Sequence, residues 1–403
     1  MKKNIGKKLS NKFNLNHGMA FACRAGDFVE TSLGNAITTA HLDPPVLIGL
    51  PEEGPWYRVP IPEGLSGDGS EYYIYVRKGS TDHLCVFFSG GGAAWDEYTA
   101  ARPVSGGKLA AGLPNYYWNN LRPFTQLMNI RIGITDTANP LNPFRDWSFA
   151  VITYATGDFH VGNNDFPYTA EDGTEQVVHF HGHSNFRAAM ERAALYFPQP
   201  DRILIAGDSA GAIAVPALAG EIIERYRPVC RDVTLLSDSG QLLYAHWRRT
   251  ARDIWKADDT FWKPIHTPNI LMDWYRKLYR RYGDEIRYLY ASSTHDYLLS
   301  AYYNDITYKK YRTNEEVQEA FFLQLQELIH EFQLMTPKSG VFINEFRNLL
   351  LVYPGLRGGT VHTAVRQLNF FVKTKEEISM AEWLDDAVNG KVYDVGFAEI
   401  LEP

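Results

Sequence analysis

A chain of 403 residues can bury a large core, either as two average domains or as one α/β domain with insertions. Its formal charge of −7 leaves no dominant basic face and so excludes a typical nucleic-acid binder, while 45% hydrophobic and 22% charged residues exclude a disordered chain. Three scattered cysteines, Cys23, Cys85 and Cys230, make no Cys-x-x-Cys pair and no disulfide framework, which points to a reducing compartment. No run approaches the ~18 apolar residues of a membrane span. The lysine-rich start is interrupted by Asn, Lys and His where a signal peptide would run apolar, so the expected location is cytoplasmic.

In chain order, residues 1–64 are rich in Gly, Pro and Asn, with "DPPVLIGLPEEGPWYRVPIPEG" full of breakers, and are expected to form an irregular arm. Residues 65–403 are expected to form one α/β domain. "YYIYVRKG" (72–79) and "HLCVFFSG" (83–90) read as two strands of a hairpin. "FAVITYAT" (149–156) is a continuous β-branched and aromatic run, as in a strand buried on both faces of a parallel sheet. "NFRAAMERAALYF" (185–197) has apolar residues at helical spacing, with Ser184 placed to cap it. Then follow a strand "RILIAG" (202–207), a helix "AIAVPALAGEIIERY" (212–226), and strands in "DVTLLSDSG" (232–240), "IRYLYASSTHD" (286–296) and "NLLLVYPG" (348–355). The alternation predicts a mostly parallel central sheet flanked by helices. Two intervals, 241–285 and 305–347, break the rhythm and are expected to be helical insertions, the second containing "NEEVQEAFFLQLQELIHEF".

The join between strand 202–207 and helix 212–226 is Gly207-Asp208-Ser209-Ala210-Gly211. A serine at a strand-to-helix turn this tight needs small neighbours, and Gly-x-Ser-x-Gly supplies them while exposing the hydroxyl. Such a serine becomes a nucleophile only if a base takes its proton and a third group holds that base. Downstream, Asp296 follows the strand ending in "ASSTHD" and His362 lies in "GGTVHTAV", in the order Ser, Asp, His. Asp238 in "LLSDSG" also follows a strand and could be the acid or shape the pocket floor. Asp305 and His295 are more distant candidates. Amides for a developing oxyanion are expected from "SGGGAAWD" (89–96), at Gly91, Gly92 and Ala93, and from Ala210 directly after the serine.

Two polar stretches have competing readings. "HFHGH" puts His179, His181 and His183 two apart, a spacing that invites a metal, but no further ligand completes the run and hydrogen bonding beneath the site is expected instead. "TGDFHVGNND" (156–165) follows a strand and borders the same crevice, so Asp158 and His160 either contact substrate or build an Asx-rich turn.

Taken together, "GGGAAW", "YATGDFHVGNND", "VVHFHGHSNFRAAM", "GDSAGA", "DSG" and "GGTVH", in that order over roughly residues 65–365, resemble the pectin acetylesterase and Notum family of serine carboxylesterases. The resemblance implies an α/β-hydrolase fold, removal of an acyl group from an ester, and no metal or organic cofactor. It implies Ser209 as nucleophile, Asp296 as acid, His362 as base, and Gly91, Gly92, Ala93 and Ala210 at the oxyanion. Ala93 and Ala94 stand where the better-known secreted members carry Trp and Cys, so pectin is not the expected substrate and the acyl length is open. The expected function is hydrolysis of an O-acyl ester, O-acetyl first, on a carbohydrate or a related small molecule. The alternatives are acyl transfer through the same residues, or a binding protein that has lost turnover. No nucleic-acid or membrane partner is expected.

Overall fold

The computed structural model describes residues 44–105, 108, 113–121, 129–348 and 356–396. An eight-stranded sheet is built from β1 (Trp56–Leu65), β2 (Glu71–Arg77), β3 (His83–Phe88), β4 (Ser148–Ile152), β7 (Arg202–Asp208), β8 (Asp232–Asp238), β9 (Arg287–Ser293) and β10 (Ser339–Asn344), in the order β1-β2-β4-β3-β7-β8-β9-β10. The β1–β2 and β2–β4 pairs are antiparallel and all later pairs parallel. A separate antiparallel hairpin, β5 (Asn164–Thr169) with β6 (Glu175–Phe180), lies outside it. The longer helices are α1 (Gly182–Tyr196), α2 (Ala210–Tyr226), α3 (Ile270–Tyr282), α4 (Tyr297–Tyr308), α5 (Glu315–Met335) and α6 (Met380–Val388).

The central strands are buried along nearly their whole length because helices cover both faces. In β7 the two-residue alternation sends Ile203 and Ile205 into a core shared with α1, α2, α3 and α5, and Leu204 and Ala206 into a second core with Met380, Trp383 and Leu384 of α6. This is the mostly parallel, helix-flanked sheet of an α/β-hydrolase, as the sequence leads one to expect. Among the described residues, no helix is long and apolar enough to cross a membrane.

Several elements differ from expectation. The first two expected strands form no hairpin: β4 lies between them, with Val151 opposite both Tyr75 of β2 and Phe87 of β3. Both strands are apolar on two faces and take neighbours on two edges, which a free hairpin could not supply. The expected irregular arm contains β1, whose Pro60 and Pro62 are tolerated because it is an edge strand. Residues 1–43 and most of the expected strand at 348–355 lie outside the described residues. The last described strand is β10, inside the interval read as a purely helical insertion; its run "SGVFIN" is short and follows directly on α5. Helix α1 begins at Gly182, so Ser184 lies within its first turn, donating Oγ–H to His181 O rather than capping.

Candidate active site

The parallel strands end along one edge, and the singled-out residues gather where β7, β8 and β9 stop. Ser209 is the single residue between β7 and α2, with φ 54° and ψ −122°. A non-glycine residue there carries strain of order 1–3 kcal/mol and needs its surroundings to hold it. Ser209 N–H donates to Asp238 O at 2.8 Å, and Ser209 O accepts from Ala212 N–H at 3.0 Å. A Cβ on Gly207 would stand 2.4 Å from Gly211 O, and one on Gly211 2.0 Å from Phe88 O, so the turn closes this tightly only with glycine at both places.

His362 lies in the segment after the sheet, and its imidazole Nδ1 meets Asp296 Oδ2 at 2.7 Å. Asp296 is fully buried and its other oxygen, Oδ1, accepts from Leu298 and Leu299 N–H at 2.9 Å each, capping α4. The two segments are laced together: Thr360 pairs with Asp296, Thr360 N–H donates to His295 O, and Ser293 Oγ–H donates to Val361 O. With Nδ1 donating to the carboxylate, Nε2 is left as the acceptor, and it is buried without a hydrogen-bond partner among the described residues. Burial works to lower the His362 pKa, but the charge of Asp296, its hydrogen bond and the further charges of Asp208 and Asp238 outweigh it and move the pKa upward.

The rival carboxylates have other work. Asp238 Oδ2 accepts from Ala364 and Val365 N–H at 2.6 and 2.7 Å, and Oδ1 from Ser239 Oγ–H, so it anchors the backbone just after His362. Burial, with Asp208 nearby, pushes its pKa up to about 6 against those bonds. The expectation that Asp238 serves as the acid, or lines the pocket floor in contact with substrate, is corrected: its oxygens are filled by the protein. Asp305 accepts from Tyr116 O–H at 2.6 Å, and His295 meets Glu319 and stacks on Phe322, so neither joins His362.

Sequence reasoning missed a buried cation beneath this edge. Arg366 donates to Asp208 Oδ2 at 2.8 Å, to Ser89 Oγ at 2.8 Å and to Asn129 Oδ1 at 2.7 Å. Asp208 Oδ1 in turn accepts from Gly90 N–H at 2.8 Å, which sets the glycine run against the serine turn. Nothing in "HTAVR" distinguishes this arginine from a surface one.

Of the four expected oxyanion donors, Ala93 is corrected: its N–H is spent on Tyr116 O at 2.9 Å. The bond closes a bridge in which Gly92 faces Tyr117 and Trp118 N–H donates to Gly91 O. The N–H groups of Gly91, Gly92 and Ala210 are uncommitted among the described residues; that of Ala210 opens α2, where no intrahelical acceptor exists.

Asp158 and His160 do not face a crevice. Asp158 is fully buried and accepts from Thr156 Oγ–H, His160 N–H and Gly182 N–H, an Asx-type turn that ties the loop to the start of α1. His160 lies between Phe88 and Tyr154 with Nε2 3.0 Å from Ser89 O, and burial pushes its pKa down to about 4, leaving it neutral. Of the two readings the turn is the one seen, because the polar groups of both residues are taken up by buried bonds within the loop and to Gly182 and Ser89. The three histidines of "HFHGH" part company: His179 and His181 meet Asp165, whereas His183 meets Glu221.

No family model matches the chain, and no curated protein matches its sequence. Among solved structures, two crystal forms of the Wnt deacylase Notum from Drosophila superpose with TM-scores of 0.54 and 0.53 at 15% identity, covering 82% of this chain and 92% of theirs. The likeness is one of fold and supports the α/β-hydrolase architecture.

Proposed function

We propose that the chain is a serine carboxylesterase in which Ser209 is the nucleophile, His362 the general base and Asp296 the group that orients and stabilises the imidazolium. The observation that carries this reading is the buried His362–Asp296 pair, whose geometry leaves Nε2 as an unengaged acceptor on the edge that also presents the strained Ser209. In the proposed cycle His362 Nε2 takes the Ser209 proton as Oγ attacks the ester carbonyl. The N–H groups of Gly91, Gly92 and Ala210 receive the oxyanion, the alcohol leaves with the proton, and water repeats the sequence on the acyl-enzyme. The substrate class proposed is an O-acyl ester, acetyl first, on a carbohydrate or a related small molecule. That a Notum enzyme on the same fold is a deacylase, and that the motifs resemble its family, both favour acyl removal.

A fluorophosphonate probe tests the nucleophile directly, since it phosphonylates only an activated serine. Peptide mapping of the labelled protein should place the adduct on Ser209; a folded protein that takes up no label there would end the proposal. The pH profile tests the base. Only neutral imidazole accepts the proton, so kcat/KM should rise with pH through the His362 pKa, and the upward shift puts the midpoint above the ordinary 6.5. A midpoint below 6.5 would show that Asp296 does not hold the base in the free enzyme.

A further inference from the structure

We propose that Asp165, His179 and His181 form a binding site for a divalent late transition metal, zinc before others, separate from the Ser209 centre. In the hairpin Asp165 of β5 is paired directly opposite His179 of β6, and His181 lies two residues further along. His181 lies one residue past β6, at the entry to α1, and its imidazole meets the same Asp165 carboxylate as that of His179, so the three side chains converge on one point. One carboxylate oxygen, Asp165 Oδ1, is 2.6 Å from His179 Nδ1 and 2.8 Å from His181 Nε2, and the three donor atoms all lie within 4.8 Å of one another. The two rings are nearly perpendicular, at 81°, so each turns a nitrogen to a common point rather than stacking.

The scaffold is fixed by backbone. His179 N–H donates to Gly67 O and His181 O accepts from Ser184 Oγ–H, which holds the second histidine at the entry to α1. Entry is open, since the Asp165 side chain is 62% exposed and the imidazoles about a quarter exposed. Two imidazole nitrogens and one carboxylate oxygen suit zinc and its neighbours, whereas calcium and magnesium favour oxygen-only sets. Three protein ligands leave one tetrahedral position for water or an outside ligand. Along the sequence no further ligand follows in "HFHGH", which is why hydrogen bonding is the expectation there. The third ligand comes from across the hairpin, and His183 drops out because it meets Glu221 and Asp258.

The test uses tag-free full-length protein, stripped with a chelator and dialysed, then titrated with cobalt(II) followed by its visible d–d absorption and with zinc(II) by calorimetry. The expected result is one ion per chain. His179→Ala, His181→Ala and Asp165→Asn should each weaken binding beyond the ~10–100-fold that loss of an outer-sphere partner costs. His183→Ala and Ser209→Ala should bind as the wild type does, the latter separating this result from the esterase reading. If a histidine variant fails to fold, Asp165→Asn, at an exposed position, decides. Absence of saturable binding in the wild type, or binding that survives all the ligand substitutions, overturns the proposal and leaves a hydrogen-bonded triplet.

Discussion

Ser209→Ala should lower the turnover of chromogenic acetyl, butyryl and octanoyl esters by about 10³-fold or more, approaching ~10⁶ if the serine works as one unit with its base. The change deletes one oxygen from a turn whose conformation is held by Ser209 N–H on Asp238 O and by glycines on either side, so circular dichroism should be unchanged. The loss should fall on kcat, because Oγ forms its new bond only after substrate has bound. Residual hydrolysis would reflect the amides of Gly91, Gly92 and Ala210 polarising the carbonyl for water. The wild-type preference among the three chain lengths would then measure the acyl pocket. Equal rates in the two proteins would remove the nucleophile from the proposal.

Asp296→Asn should reduce kcat by about 10⁴-fold, through the wrong imidazole tautomer and the loss of charge beside the imidazolium. Asparagine is as good a helix cap as aspartate, so its carbonyl can keep the bonds from Leu298 and Leu299 N–H and the helix should survive. The same substitution at Asp238 is the control. The carbonyl oxygen of the introduced amide can still accept from Ala364 and Val365 N–H, so Asp238→Asn should retain most of the turnover. An inactive Asp238→Asn beside an active Asp296→Asn would exchange the two roles. The comparison is informative because the two residues, although the family resemblance favours Asp296, look equivalent in local pattern: each follows an apolar strand at the same edge of one sheet.

That equivalence marks where the sequence stops being sufficient. Ser209 was legible because a tight turn restricts residue type locally, and two glycines four apart between a strand and a helix report that restriction. The central α/β alternation was legible for a similar reason, since strands covered on both faces must be apolar throughout. Choosing between Asp296 and Asp238 needs the path of 360–366, which runs past both: Thr360 pairs beside Asp296 and Ala364 docks on Asp238. The fate of the Ala93 amide depends on Tyr116, and burial of Asp158 depends on the first turn of α1. Neither contact leaves a local trace in residue type. Edge strand β1 was hidden by its prolines, and β10 by its brevity.

Arg366 gathers the end of β3, the Asn129 segment and the last residue of β7 around one guanidinium, and the contact with Ser89 spans 277 positions of the chain. Closing so long a loop carries an entropic cost that is recovered only once the intervening sheet provides a surface to close upon. This contact is therefore expected to close late in folding. A nascent chain could complete β7 and expose the serine turn long before residue 366 is synthesised, yet it would lack both the imidazole and the cation that balances the buried Asp208. If Ser209 is the nucleophile proposed above, its pairing with His362 and with the Arg366 cluster is thus deferred until residue 366 has been made.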